Sequence, residues 1–231
     1  MKWYFTSLGI FLFLSCQIDD HSGKTHSDPN SQKISLSGSH SLIDEIAYDI
    51  PVDPIRMPYR GEIRQTASWQ DKNGKNTLII SGIHANGILN KAEIFTYNYI
   101  EKDSLLKTLW KSEDHVMGSC ESDIFIAPET LEVLDINQDG IAESVFMYIL
   151  SENCDASPVR TKLMMHSGEK ELMIEGLTKV FLLPIPEVEE NSKRIDKAFQ
   201  AVDPLLSTYA SQKWDNYVRE ETLAFQEAVG N

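Results

Sequence analysis

The sequence has few cysteines and few basic residues, and both shortages exclude classes of function. Its 231 residues contain three cysteines, and 21 Lys and Arg stand against 35 Asp and Glu, for a net charge of −14. A surface this acidic does not suit nucleic-acid binding or electrostatic docking on anionic lipid, because both ligands are negatively charged. Three cysteines without a C-x-x-C pair are too few for a disulfide scaffold and do not form a zinc-binding pattern. No G-x-G-x-x-G or P-loop motif occurs.

The longest apolar run stands at the N-terminus. Residues 3–14 are almost wholly apolar but too few to span a membrane stably. Ser15 and Cys16 follow, an arrangement that resembles a bacterial lipoprotein signal, in which residues 1–15 are removed and Cys16 is acylated. Phe13 departs from the common form of that signal, which has Leu three residues before the cysteine. The alternatives are an ordinary secretory signal cleaved elsewhere and an uncleaved anchor.

Residues 16–60 are predicted to be the lipidated cysteine and a flexible tether, because residues 17–41 are rich in Ser, Gly, Asp and His and have no apolar period. Asp19 and Asp20 closely follow Cys16, and such acidic pairs resemble the signal by which some Gram-negative bacteria export lipoproteins to the cell exterior. We therefore expect a lipid-anchored protein of the Gram-negative outer membrane, exposed at the cell surface. The alternative interpretation of the acidic pair is a polar start to the tether.

Two cysteines remain once Cys16 is assigned to the lipid. Outside the cytoplasm an even remainder favours one disulfide, so Cys120 and Cys154 are predicted to pair. The enclosed loop of about 34 residues would contribute roughly 3.5–4 kcal/mol on the chain-entropy model. Two buried free thiols are the alternative.

Residues 61–186 are predicted to form a β domain. Short β-like runs recur there between turn signals, at 63–70, 77–83, 93–100, 105–110, 131–134, 144–150, 160–165 and 171–174. Asn73-Gly74 predicts a hairpin turn, since this pair accepts positive φ at little cost. Residues 144–150 are apolar on both faces, which predicts a central strand. The spacing leaves no room for helical crossovers, so the predicted fold class is mainly β, an antiparallel meander or sandwich.

Residues 187–231 change to a helical pattern. Asn191 or Ser192 is predicted to cap a first helix, and Asp203 a second helix with Pro204 at its first position. The predicted inner stripe of the second helix comprises Leu205, Leu206, Tyr209, Trp214, Val218, Leu223 and Phe225. Both helices are expected to pack on one face of the sheet, which gives an α+β domain.

One motif carries chemistry. Residues 135–143 form the pattern D-x-N-x-D-G-x-x-E, and alternate residues of a tight loop can place oxygen ligands around one centre. Gly140 permits the sharp turn. The predicted ligands of a weak, structural Ca²⁺ site are Asp135, Asn137, Asp139, the Ile141 carbonyl and Glu143. The motif includes no nucleophile or base, so the ion would brace a hairpin rather than catalyse a reaction.

The motif departs from an EF-hand loop at its last position. Phe146 stands where a bidentate Glu is expected, and a strand rather than a helix follows. The loop therefore resembles the calcium turns between strands of extracellular β-repeat proteins, with an affinity on the order of 10⁻⁴–10⁻³ M. The alternative is an Asp/Asn-rich turn whose side chains bond their own backbone.

Other candidate sites have weaker signals. Glu121, Asp123 and Asp155 flank the two cysteines and could form an acidic hydrolase site if the cysteines pair. Trp69 and Trp110 are expected to be core aromatics, with a platform for stacking sugars as the alternative. Three histidines lie far apart in the sequence and are expected at surface or edge positions, namely His84, His115 and His166.

Residues 135–148, together with 154–158 and 161–164, resemble a family of secreted or lipoprotein-type bacterial proteins associated with surface polysaccharide biosynthesis. Residues 69–71 and 95–97 also fit, so the resemblance covers most of the β domain. It implies a role in a surface polysaccharide such as lipopolysaccharide, and it supplies no catalytic residues.

The expected function is a non-enzymatic accessory in surface polysaccharide biosynthesis or display. Two alternatives stay open: a calcium-braced adhesion or glycan-binding module, and a hydrolase with an acidic site near Cys120 and Cys154. The expected partners are the membrane, through the N-terminal lipid, and a polysaccharide or other envelope proteins, but not nucleic acid.

Overall fold

The computed structural model consists mainly of two antiparallel sheets and a C-terminal helix. The described residues are 43–85, 90–118, 122–152, 159–178 and 193–229, with only the backbone described over 222–229. The first sheet contains, in spatial order, β1 (Asp44–Tyr48), β2 (Glu62–Asp71), β3 (Gly74–Ile83), β4 (Lys91–Lys102) and β5 (Leu105–Met117).

In the second sheet, two short strands pair with the same edge of a central strand. The strands of this sheet are β6 (Asp123–Ile126), β7 (Glu132–Leu134), β8 (Glu143–Ser151), β9 (Val159–Ser167), β10 (Lys170–Thr178) and β11 (Arg194–Ile195). Their order is β11-β10-β9-β8-β6, and β7 also pairs with β8. A short 3₁₀ helix (Lys197–Ala201) and α1 (Pro204–Val229) follow. This architecture confirms the predicted fold class, mainly β and antiparallel with a helical C-terminal segment.

The apolar core has two layers, one on each face of the second sheet. Between the sheets, Trp69 and Leu78 belong to the same buried cluster as Phe146 and Met164. On the other face, Met147 and its neighbours pack against α1. Strand β8 contributes to both layers and is buried on both faces, as its continuous apolar run predicts.

The predicted turn at Asn73-Gly74 is present, and a contact with a neighbouring strand also requires glycine at position 74. Asp71 pairs with Gly74 across the β2–β3 hairpin, so two residues form its loop. Gly74 has a φ of 141°, and a Cβ there would lie 2.5 Å from the Glu101 carbonyl oxygen on β4. Only glycine fits this close approach of two backbones.

Helix α1 begins where the sequence predicts. The Asp203 carboxylate accepts a hydrogen bond from the backbone N–H of Leu205 at 2.9 Å, and Pro204 occupies the first helical position. Its buried stripe runs through Leu206, Ala210 and Trp214 at spacings of four residues. Leu205 was predicted to belong to this stripe and does not, since it is 54% exposed.

Two other predictions about the elements differ from the structure. The sheet begins before residue 61, because Asp44–Tyr48 pairs with β2 as an edge strand. All five of its residues are exposed, so no hydrophobic alternation marks it in the sequence. The first C-terminal helix is only the short 3₁₀ helix, capped by Asp196. The predicted caps Asn191 and Ser192 lie outside the described residues. No helix among the described residues is both long and apolar enough to cross a membrane.

Candidate functional site

The loop between β7 and β8 contains the predicted calcium ligands, and its side chains fold back onto its own backbone. The Asp135 carboxylate accepts from the backbone N–H groups of Asp139 at 2.9 Å and Gly140 at 2.8 Å. Asn137 Oδ1 also accepts from Asp139 N at 3.2 Å. Asp139 Oδ1 accepts from Ile141 N at 2.8 Å. These are the bonds of an Asp/Asn-rich turn, and each carboxylate oxygen has a further lone pair that they do not use.

Both carboxylate oxygens of Glu143, a predicted calcium ligand, accept hydrogen bonds from other residues. Glu143 is fully buried at the start of β8. Its Oε2 accepts from Ile136 N at 2.9 Å, and its Oε1 accepts from Ser167 Oγ at 2.8 Å. Burial raises the pKa of this carboxyl to about 7. Glu143 therefore fastens the base of the loop to β9.

The same loop ties the two sheets together at one end of the sandwich. Lys72 N, in the β2–β3 turn, donates to the Gly140 carbonyl at 3.0 Å. The Ala142 N–H donates to Asp71 Oδ2 at 3.4 Å. The Lys72 ammonium donates to the Asp139 carbonyl at 2.5 Å and lies 4.0 Å from the Asp139 carboxylate. A fixed positive charge thus already stands beside the predicted cation site.

No three His, Cys, Asp or Glu side chains of the described ranges form a group that could hold a metal ion. The calcium site stays a prediction, and the hydrogen bonds of the loop are those of its alternative, the Asx-type turn.

A second group of polar side chains lies between the sheets, and no sequence motif predicts it. Ser144 on β8 stands opposite His166 on β9, which stands opposite Glu171 on β10. Serine, histidine and glutamate side by side are the residue types of a nucleophile, a base and an orienting acid. Ser144 is 1% exposed and His166 is 2% exposed, and the adjoining cavity measures about 10 Å³. A substrate has no room to reach this row.

The structure corrects one sequence interpretation here. The prediction that His166 lies at a surface or edge position is wrong, because it is buried with its ring stacked 3.6 Å from that of Trp110. Trp69 and Trp110 are core residues, as predicted, which excludes the alternative of a sugar-stacking platform. The sequence alternation does not indicate this burial, because the face of β9 that contains His166 and Met164 also contains Arg160 and Lys162. His84 and His115 are exposed, as predicted.

A groove of about 350 Å³ runs between α1 and the segment that joins β6 to β7. Two rows of α1 side chains face it at spacings of four residues: Tyr209, Lys213 and Tyr217, and beside them Gln212, Asn216 and Glu220. The opposite wall contains Glu129 and Glu132, and Met147 also lines the groove. Glu132 accepts from the Tyr209 hydroxyl and from the Lys213 ammonium, the latter at 2.7 Å. We call this the α1 groove; no sequence motif indicates it.

A larger and shallower groove of about 700 Å³ lies at the end of the sandwich beside the 135–143 loop. Its lining is mainly aliphatic, from Ile100, Leu105 and Leu109, with Lys102 and Lys107 at its edge. It has fewer groups that can fix a polar ligand than the α1 groove has.

Several predicted site residues lie outside the described residues. These are the lipidated Cys16, both predicted disulfide partners Cys120 and Cys154, and the acids Glu121 and Asp155. Of the predicted acidic site only Asp123 is described, and its carboxylate lies 3.1 Å from His84 Nδ1.

Comparisons with known proteins give no relative: no family model, no curated protein and no solved structure matches this chain. The resemblance to a surface polysaccharide family therefore stays a prediction from the sequence.

Proposed function

We propose that this protein is a lipid-anchored component of the Gram-negative cell envelope that acts as a non-enzymatic accessory in surface polysaccharide biosynthesis or display, by holding a glycan in the α1 groove. The observation that carries the proposal is the groove itself, which combines two tyrosines with exposed amides and carboxylates in about 350 Å³. Cavities of this size with a few convergent polar groups are the usual form of a small-ligand site.

The chemistry of the groove suits a sugar. A sugar presents apolar C–H faces and a ring of hydroxyl groups that both donate and accept hydrogen bonds. Tyr209 and Tyr217 are half-buried and present an apolar ring with a polar tip. Gln212 and Asn216 are exposed on the next row, and a primary amide can both donate and accept hydrogen bonds with neighbouring hydroxyls.

The charge of the groove selects among glycans. Its wall contains the carboxylates of Glu129, Glu132 and Glu220 against one ammonium, that of Lys213. The whole chain carries a net charge of −14. Phosphate and uronate groups are repelled by such a surface, so the proposed ligand is a neutral or amine-bearing glycan.

The test compares two variants of the full chain. Gln212→Ala combined with Asn216→Ala removes two exposed groove amides, and Leu205→Ala changes an exposed α1 residue outside the groove. We expect the double variant to bind neutral oligosaccharides from the native polysaccharide at least tenfold more weakly by calorimetry, and the control to bind like wild type. In a deletion strain, the control should restore the polysaccharide profile and the double variant should not. An unchanged profile after deletion would reject the accessory role.

A calcium-braced adhesion or glycan-binding module is the second candidate, and the 135–143 loop favours it, because that loop joins the two sheets at the end of the sandwich. Glycan binding that is lost in a chelator and restored by Ca²⁺ would support this candidate. Binding that is insensitive to the chelator would favour the first.

A further inference from the structure

Five buried polar atoms, on four residues that line one cavity between the sheets, have no hydrogen-bond partner in the part of the protein that the structure describes. Among the described residues, Asn98 Oδ1, Trp110 Nε1, Ser144 Oγ and both ring nitrogens of His166 are fully shielded from solvent and make no hydrogen bond. Asn98 and Trp110 belong to the first sheet, and Ser144 and His166 belong to the second. All four residues line one cavity. Buried polar atoms in folded proteins are almost always hydrogen-bonded, so unpaired atoms on four residues around one cavity indicate a bound ligand.

The size of the cavity decides what the ligand can be. Its volume is about 10 Å³. A buried water molecule needs about 10–15 Å³ measured in this way, together with two to four polar partners. A sugar, an amino acid or a polyatomic ion is too large for this space.

The donors and acceptors match the valence of water. The Trp110 indole N–H can only donate, and Asn98 Oδ1 can only accept, since the amide nitrogen of Asn98 donates to Asn76 Oδ1 at 3.3 Å. Glu171 Oε2 lies 3.4 Å from His166 Nε2, close enough to favour the proton on that nitrogen although the contact does not reach hydrogen-bond geometry. His166 Nδ1 is then an acceptor, and the Ser144 hydroxyl can donate.

We propose that one internal water molecule occupies this cavity, accepting from Trp110 Nε1 and Ser144 Oγ and donating to Asn98 Oδ1 and His166 Nδ1. It gives one atom of each of the four residues a hydrogen-bond partner, and His166 Nε2 keeps its 3.4 Å contact with Glu171. Because two partners come from each sheet, the water links the sheets through a polar bridge inside an otherwise apolar core. This site is independent of the α1 groove, and its test does not depend on glycan binding.

The first experiment uses the wild-type chain. Nuclear Overhauser spectra should show a cross-peak between water and the indole N–H proton of Trp110. The indole N–H of Trp69 is the internal control, because Trp69 is also buried and its Nε1 already donates to Asp71 Oδ2 at 3.3 Å. A Trp110 signal no stronger than that of Trp69 would overturn the proposal.

The second experiment compares Ser144→Ala with Ser144→Val. In a dry cavity, Val would fill the space and suit the strand, so its melting temperature would equal or exceed that of Ala. In a hydrated cavity, the added methyl group expels the water and leaves three polar partners unsatisfied. We therefore expect Ser144→Val to melt several degrees below Ser144→Ala. The reverse order would exclude the water, and the spectra of the wild type decide the matter if Ser144→Val does not fold.

Discussion

At the scale of single residues, the contact between the sheets is polar as well as apolar. Asp114 on β5 accepts from Lys162 Nζ at 2.7 Å and from the Tyr148 hydroxyl at 2.8 Å, both on the second sheet. The side chains of Lys162 and Asp114 are only 14% and 23% exposed. Burial disfavours the charged Asp114, but the bonds from Lys162 and Tyr148 and the charge of Lys162 outweigh it and lower the pKa of this carboxyl.

Replacing Asp114 tests this link. We expect Asp114→Asn to lower the free energy of unfolding at neutral pH by about 1–3 kcal/mol, because it leaves a poorly exposed ammonium without its charge partner. Since the folded pKa lies below the unfolded value of 3.8, the stabilisation is complete above that pH and is lost as the pH falls through the folded pKa. Urea unfolding across pH should therefore show the two proteins converging in acid.

The control for this prediction is Glu113→Gln on the same strand. The Glu113 side chain is 75% exposed and lies 3.9 Å from Arg60. Its loss should change the free energy of unfolding by less than about 1 kcal/mol. Equal effects of the two substitutions would contradict the role given to Asp114.

Among the helices and strands, the features that can be predicted from the sequence are those set by residues close together in the chain. The β2–β3 turn and the start of α1 follow from Asn-Gly and Asp-Pro pairs that act within a few residues. The central position of β8 follows from its continuous apolar run. Edge strand β1 cannot be predicted from the sequence. It is held by backbone pairing with β2, and all five of its residues are exposed, so its side chains show no hydrophobic pattern.

The contribution of α1 to stability depends on which of its side chains are buried. Trp214 is 3% exposed in the core between α1 and the second sheet. Trp214→Ala should lower the free energy of unfolding by about 3–5 kcal/mol in denaturant titrations. Leu205→Ala, on the exposed side of the same helix, should change it by about 0.5 kcal/mol or less. A large effect of Leu205→Ala would show instead that Leu205 belongs to the buried face of α1.

At the scale of the whole molecule, calcium and the predicted disulfide would act on all elements together. If the 135–143 loop binds Ca²⁺, a concentration ten times the dissociation constant should stabilise the protein by about 1.4 kcal/mol. The Lys72 ammonium competes for the same carboxylate region, so Lys72→Met should tighten binding, and Asp135→Ala should abolish it. Calorimetry with millimolar Ca²⁺ measures both effects. If Ca²⁺ gives no heat and no rise in melting temperature, the loop is a hydrogen-bonded turn and not a calcium site.

The predicted pairing of Cys120 and Cys154 has a direct chemical test. Thiol titration of the unfolded, unreduced chain should find no reactive cysteine from this pair, and reduction should expose two. A lipidated Cys16 stays unreactive in both conditions, because its sulfur already carries the lipid and is no longer a free thiol. Two reactive thiols before reduction would exclude the disulfide.

The fold class, the main strands, the hairpin turn and the start of α1 can be predicted from the amino-acid sequence, because each depends on side-chain periodicity or on residues adjacent in the chain. Which polar residues meet depends instead on how the folded elements pack. Ser144, His166 and Trp110 lie far apart in the sequence and form one cavity because strand register and sheet packing bring them together. The same holds for Glu143, which the loop motif offers to a metal and the fold bonds to Ser167. It holds for the α1 groove, whose walls lie about 80 residues apart in the chain. Local patterns do not encode contacts at such separations, since those depend on how whole elements pack.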